Sequence, residues 1–163
     1  MLSQLESFPG RLAENRHALD EYLQSLTDEE MRRSPGEGLY SGREVLAHLA
    51  GANRGMTRLM QQMAAGQQPR LKADYNNDYY NLRQQEKRAA LSVAQLLAEL
   101  DETHRDLLAF IETLRPEDLD KRGDHPTVGN ATVLQVLQVI TTHEQDHIAQ
   151  FGAWARTLHS AAS

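Results

Sequence analysis

The chain contains no cysteine. Disulfides, thiolate metal ligands and a cysteine nucleophile are therefore excluded, and metal ligands have to come from His, Asp or Glu. No run of about 18 apolar residues occurs, so no membrane span and no membrane partner is expected. Basic residues are few and scattered: 17 Lys and Arg stand against 23 Asp and Glu, for a formal net charge of -6. A protein that neutralises a phosphate backbone presents a basic face, so no nucleic-acid partner is expected. A Gly-rich phosphate loop and a dinucleotide fingerprint are both missing. No segment shows the sustained apolar–polar alternation of a strand. The N-terminal residues Met1 to Glu6 carry no basic stretch leading into an apolar core, so no signal peptide is expected. The lack of cysteine agrees with a reducing, cytoplasmic location.

What is present is helical periodicity. The 163 residues suit one domain, 1–163, with a full hydrophobic core. Leu5, Phe8, Leu12, Leu19, Tyr22, Leu23 and Leu26 mark a first helix. Thr27 and Glu30 have capping-box spacing, and so do Ser41 and Glu44, where a second helix opens. Val45, His48, Leu49, Ala52, Met56, Leu59, Met60 and Met63 form its inward stripe, and Gly66 stands as its C-cap. Residues 66–78 read as an irregular polar linker and 79–90 as an exposed helical arm; the Tyr75–Tyr80 segment at their junction either lines a pocket mouth or simply leads into that arm. A third long helix begins near Ser92 and ends at Pro116. Residues 120–130 read as loop, with His125 solvated. The last helix runs from about Thr132 to Leu158, and the tail from His159 is expected to fray. Four long amphipathic segments predict an all-α four-helix bundle.

The last helix carries the chemistry. His143 and His147 fall on the apolar stripe of Val133, Val136, Leu137, Ile140, Phe151 and Trp154. Imidazoles at i and i+4 project from one helix face, so both reach one ion. The other reading is a pair of half-exposed histidines capping a core stripe. His143-Glu144-x-x-His147 also has the form of the metalloprotease motif, but that class needs a third ligand downstream. Ala153 occupies the position where the metzincin pattern has its histidine, and no Asp or Glu follows Asp146. An upstream ligand fits better. His48 points inward among small residues, although a lone inward histidine is also a common core residue. Facing helices of a bundle can share a metal. His48, His143 and His147 would give three neutral nitrogens, roughly 3–4 Å apart, and leave one coordination position open. Glu144 sits three residues before His147, where it is a candidate base or orienting group; the alternative is a solvated carboxylate.

Ser41-Gly42-Arg43-Glu44-Val45-Leu46-Ala47-His48-Leu49-Ala50, followed by His143-x-x-x-His147-x-x-x-Phe151, resembles the DinB-like bundle superfamily. The resemblance covers nearly the whole chain. It implies an up-down-down-up bundle, frequent homodimers, and a divalent ion, often zinc or nickel, bound at the positions filled here by His48, His143 and His147. It also implies kinship with thiol-dependent transferases and isomerases that use bacillithiol or mycothiol. The expected function is a divalent-metal-dependent thiol S-transferase acting on small electrophiles, with a low-molecular-weight thiol as co-substrate. The alternatives are a metal-dependent hydrolase and a non-catalytic metal-binding stress-response protein.

Overall fold

The structure is a computed structural model and describes residues 2–160. Its helices are α1 (Ser7–Leu23), α2 (Asp28–Met31), α3 (Gly42–Ala64), α4 (Asn77–Lys87), α5 (Val93–Thr113) and α6 (Val133–Ser160). Two short antiparallel strands, β1 (Arg122–His125) and β2 (Gly129–Thr132), lie between α5 and α6.

Helix boundaries follow capping chemistry. Thr27, Ser41 and Ser92 each accept a hydrogen bond from the backbone N–H three residues on, and Glu30, Glu44 and Gln95 return the bond to the cap residue's N–H. Each box satisfies two backbone donors that a helix start leaves unpaired. Gly66, at φ +83°, ends α3 in the left-handed region that a side chain would resist. The arm expected over 79–90 is α4, started by Asn76, whose side chain accepts from the Tyr79 N–H. Of the tail expected to fray, α6 includes His159 and Ser160, and residues 161–163 lie outside the described residues.

Two apolar clusters give the direction of each helix. One holds Leu5 just before α1, Phe8 and Leu12 of α1, Met60 and Met63 of α3, Leu107 and Ile111 of α5, and Val133, Val136, Leu137 and Ile140 of α6. The other holds Leu19, Leu46, Leu49, Leu96, Leu100, Phe151 and Trp154. The early part of α1 therefore packs with the early part of α6 but with the late parts of α3 and α5. The long helices run up, down, down, up: α1 is parallel to α6, and α3 to α5.

The region 120–130 departs from the loop expected there. Arg122 to His125 pairs with Thr132 to Gly129, with Gly129 at φ +72° at the turn. Asp124 ties the hairpin to the linker: its N–H donates to the Pro69 carbonyl, and its carboxylate accepts from the Leu71 N–H and the Asn130 amide. A Cβ on Gly123 would stand 3.0 Å from Met63, so β1 lies closely against α3. Strands of four residues with glycine in each are too short to show a period.

Candidate metal centre

Three histidines from two helices converge. One nitrogen from each of His48, His143 and His147 lies within 4.8 Å of the other two. His48 Nε2 and His143 Nε2 are 2.9 Å apart, and the ring centroids are 4.5 to 4.9 Å apart. The trio is slightly less uniform than the roughly 3–4 Å spacing expected of ligands on one ion. His48 is 8% exposed, and Tyr40 packs against it with ring centroids 5.4 Å apart.

Electrostatics keep these rings neutral. Burial, then the neighbouring His147, pushes His48 down to about 4. Burial, followed by His147, His48 and His125, pushes His143 down to about 3. His147 is lowered by burial, with Asp146 opposing. Deprotonated imidazoles are what a cation requires. At 2.9 Å two ring nitrogens share either a proton or an ion. His147 has no hydrogen bond among the described residues, and a shared cation gives all three rings a partner. The buried Nδ1 of His143 is likewise without a partner, so its solvation cost is unrecovered on that side. The donor set, three neutral nitrogens and no thiolate, fits zinc or nickel.

A cavity of about 260 Å³ opens beside His48 and His143. Met56, Leu59, Val139 and Leu71 make much of its wall, with Tyr75 and Tyr80 beside them. Tyr75, Asn77 and Tyr80 line it, which brings that segment to the cavity, with the two tyrosine rings 6.2 Å apart.

Glu144 occupies a different place. It is 4% exposed, on the side of α6 that faces α1 and α3, and is absent from the cavity wall. The Asn53 amide donates to Oε1, and the Asn15 amide donates to Oε2 at 3.5 Å and to the Thr141 carbonyl at 3.0 Å. Burial raises its pKa against the lowering effect of the two amides. The solvated alternative is thus replaced by a buried carboxyl joining three helices. His125 is a second correction. Expected in solvent, it is 6% exposed and lines the cavity. The hairpin turns it inward, and no periodic signal could have marked it.

The model of the DinB superfamily matches residues 11–151. This chain belongs to the DinB superfamily. The Bacillus subtilis (strain 168) protein YuaE is 26% identical over 137 residues, covering 78% of this chain and 85% of that protein. The structure is similar to that of YfiT from Bacillus subtilis, described as "a probable metal-dependent hydrolase with an unusual four-helix bundle topology" (TM-score 0.79, 19% identity, 98% of this chain and 90% of that one). It is also similar to the colibactin self-resistance protein ClbS, solved with a dsDNA (TM-score 0.72, 17% identity, 96% and 95% covered). At these identities the structural likenesses show the DinB-like four-helix bundle. No helix among the described residues is long and apolar enough to cross a membrane.

Proposed function

We propose that this DinB-superfamily protein is a divalent-metal-dependent enzyme that transfers a small thiol to an apolar electrophile. The observation that supports this best is the neutral histidine trio, two of whose members, His48 and His143, line a largely apolar cavity. His48, His143 and His147 would hold a divalent cation, which would lower the pKa of a bound thiol or water.

The chain's own groups favour the thiol. Asp124 is the carboxylate on the cavity wall, and it is engaged by Arg70, Asn130 and the Leu71 N–H. It is poorly placed to act as a base. A thiol ionises near pKa 8.5 and needs less help than water, whose pKa is about 15.7. The apolar wall excludes water and holds a small carbon skeleton against the histidines. Glu144 serves in this reading as a positioning residue. Through Asn15 and Asn53 it fixes α6 against α1 and α3, and so holds His143 and His147 opposite His48. Tyr75 and Tyr80 bound the entrance.

Hydrolysis is the second reading, favoured by the likeness to YfiT. DNA binding, as in the ClbS complex, is disfavoured for this chain by its net charge of -6. A homodimer remains part of the proposal. Phe151 and Trp154, the aromatics of the last helix, are buried within the protomer, so a dimer face would lie elsewhere.

The test starts with the metal content of protein purified without chelator. Loaded protein is then assayed for loss of bacillithiol, mycothiol or glutathione in the presence of electrophiles. His147→Ala is expected to lose both metal and transfer while keeping its helical circular dichroism. Loaded protein that conjugates no thiol but cleaves esters or amides would establish the hydrolase reading. Metal binding with neither activity would leave a binding protein.

A further inference from the structure

The reading above leaves His125 without a role, although the fold places it in the cavity wall. Its ring is held from one side. The Thr127 backbone N–H points at His125 Nδ1 from 3.3 Å, and Thr127 Oγ1 lies 3.2 Å from the same atom. A backbone amide can only donate. Nδ1 must therefore present its lone pair, and the proton of a neutral ring sits on Nε2. Among the described residues, no group accepts from that Nε2–H, yet the residue is 6% exposed and lines the same cavity as His48 and His143. That Nε2–H is therefore free to donate into the space a substrate would fill.

We propose that His125 donates a hydrogen bond from Nε2 to the reacting oxygen of the substrate, which makes the substrates small apolar epoxides or α,β-unsaturated carbonyl compounds. This rests on the thiol-transfer reading and narrows it. Attack of a thiolate sulfur on an epoxide carbon forms a C–S bond and breaks a C–O bond, whose electron pair stays on oxygen. Attack on a conjugated carbonyl moves the π pair to its oxygen instead. In both cases negative charge grows on one oxygen, and a fixed neutral donor stabilises it. The proton lost when the thiol ionised returns through solvent to that oxygen, or to carbon after the enolate forms. Nothing is oxidised or reduced. An alkyl halide places its charge on a departing halide and gains far less from such a donor. Leu59, Met56 and Val139 accept the apolar remainder of the molecule.

The experiment compares three electrophiles on metal-loaded protein with the thiol it accepts: styrene oxide, 2-cyclohexenone and benzyl chloride. His125→Leu is expected to lose about 100-fold in kcat/KM on the first two and less than about 3-fold on benzyl chloride. His125→Gln, which keeps an N–H donor, is expected to recover part of the loss. Equal effects on all three electrophiles, or none, would overturn the proposal while leaving thiol transfer intact. A second arm needs no turnover. Long-range 15N–1H spectra of the metal-free protein are expected to show His125 as the Nε2–H tautomer. Its Nε2 signal is expected to shift when the unreactive ketone acetophenone is added. An Nδ1–H tautomer, or a ring unmoved by acetophenone, refutes the assignment even if the protein transfers no thiol at all.

Discussion

Acid should unfold the metal-free protein in a way that can be assigned to His48. An unfolded histidine titrates near 6.5, whereas burial beside His147 holds folded His48 at about 4. Between those values the unfolded chain binds the proton and the folded chain does not, so stability falls as the pH falls. Above pH 6.5 the residue contributes no pH dependence, and below about 4 its effect is complete. The slope approaches about 1.4 kcal/mol per pH unit, and the loss at pH 4 is about 3 kcal/mol, because the folded ring is itself half protonated there. His48 is 8% exposed, so solvent screens little of this. Glu144 works in the opposite sense, since a raised carboxyl gains a proton first in the folded state. His143, pushed down to about 3, and His147 act in the same sense as His48, so a single curve mixes several groups and a difference is needed. Urea unfolding followed by circular dichroism, with chelator, would be run at pH 7, 5.5, 4.5 and 4 on the wild type and on His48→Gln. The wild type is expected to lose about 3 kcal/mol more than the variant over this range. Equal losses in the two proteins would refute the burial argument. Metal-loaded protein should lose stability more steeply still, because protons then compete with the ion for the same nitrogens.

Three other substitutions probe the frame around the site. Glu144→Gln turns an amide donor towards the donor of either Asn15 or Asn53, so it is expected to cost about 1–3 kcal/mol in urea unfolding, with metal content retained. Gly42→Ala would place a Cβ 2.7 Å from the buried Phe151 ring and 2.8 Å from Met31 Sδ, at a predicted cost of about 1–3 kcal/mol in thermal unfolding. Arg88→Ala removes a guanidinium that holds Glu99 at 2.7 and 2.8 Å and ties the end of α4 to α5. Steady-state kinetics are expected to show a raised KM, as the Tyr75–Tyr80 side of the cavity loosens, with unchanged metal content by elemental analysis.

The sequence showed the bundle because its signals are local. Ser41 and Glu44, or Ser92 and Gln95, report a helix start through residues three apart, and His143 and His147 share a face through one helical turn. What stayed hidden depends on elements that are distant in sequence. Glu144 lies one residue from His143 and so points about 100° around the helix, onto what looks like a polar flank. Only the approach of Asn15, 129 residues away, and of Asn53, 91 residues away, makes that flank an interior. His125 was hidden for another reason. Its burial depends on a hairpin held by the Pro69 carbonyl and by Asp124, contacts that no pattern within residues 120–130 contains.

The up-down-down-up order divides the labour of the site between helices and connections. Because α3 and α5 run parallel, the chain has to travel the length of the bundle between them, and residues 65–92 are that return path. It supplies Leu71, Tyr75 and Tyr80 to the cavity, while the connection between α5 and α6 supplies Asp124, His125 and Thr127. The histidine trio comes wholly from α3 and α6. Insertions or exchanges in the two connections can therefore reshape what enters the cavity without moving the imidazoles. On the proposed function, such a scaffold would let one metal centre serve different substrates through loop replacement, and swapping residues 66–76 between relatives is expected to carry substrate preference with it.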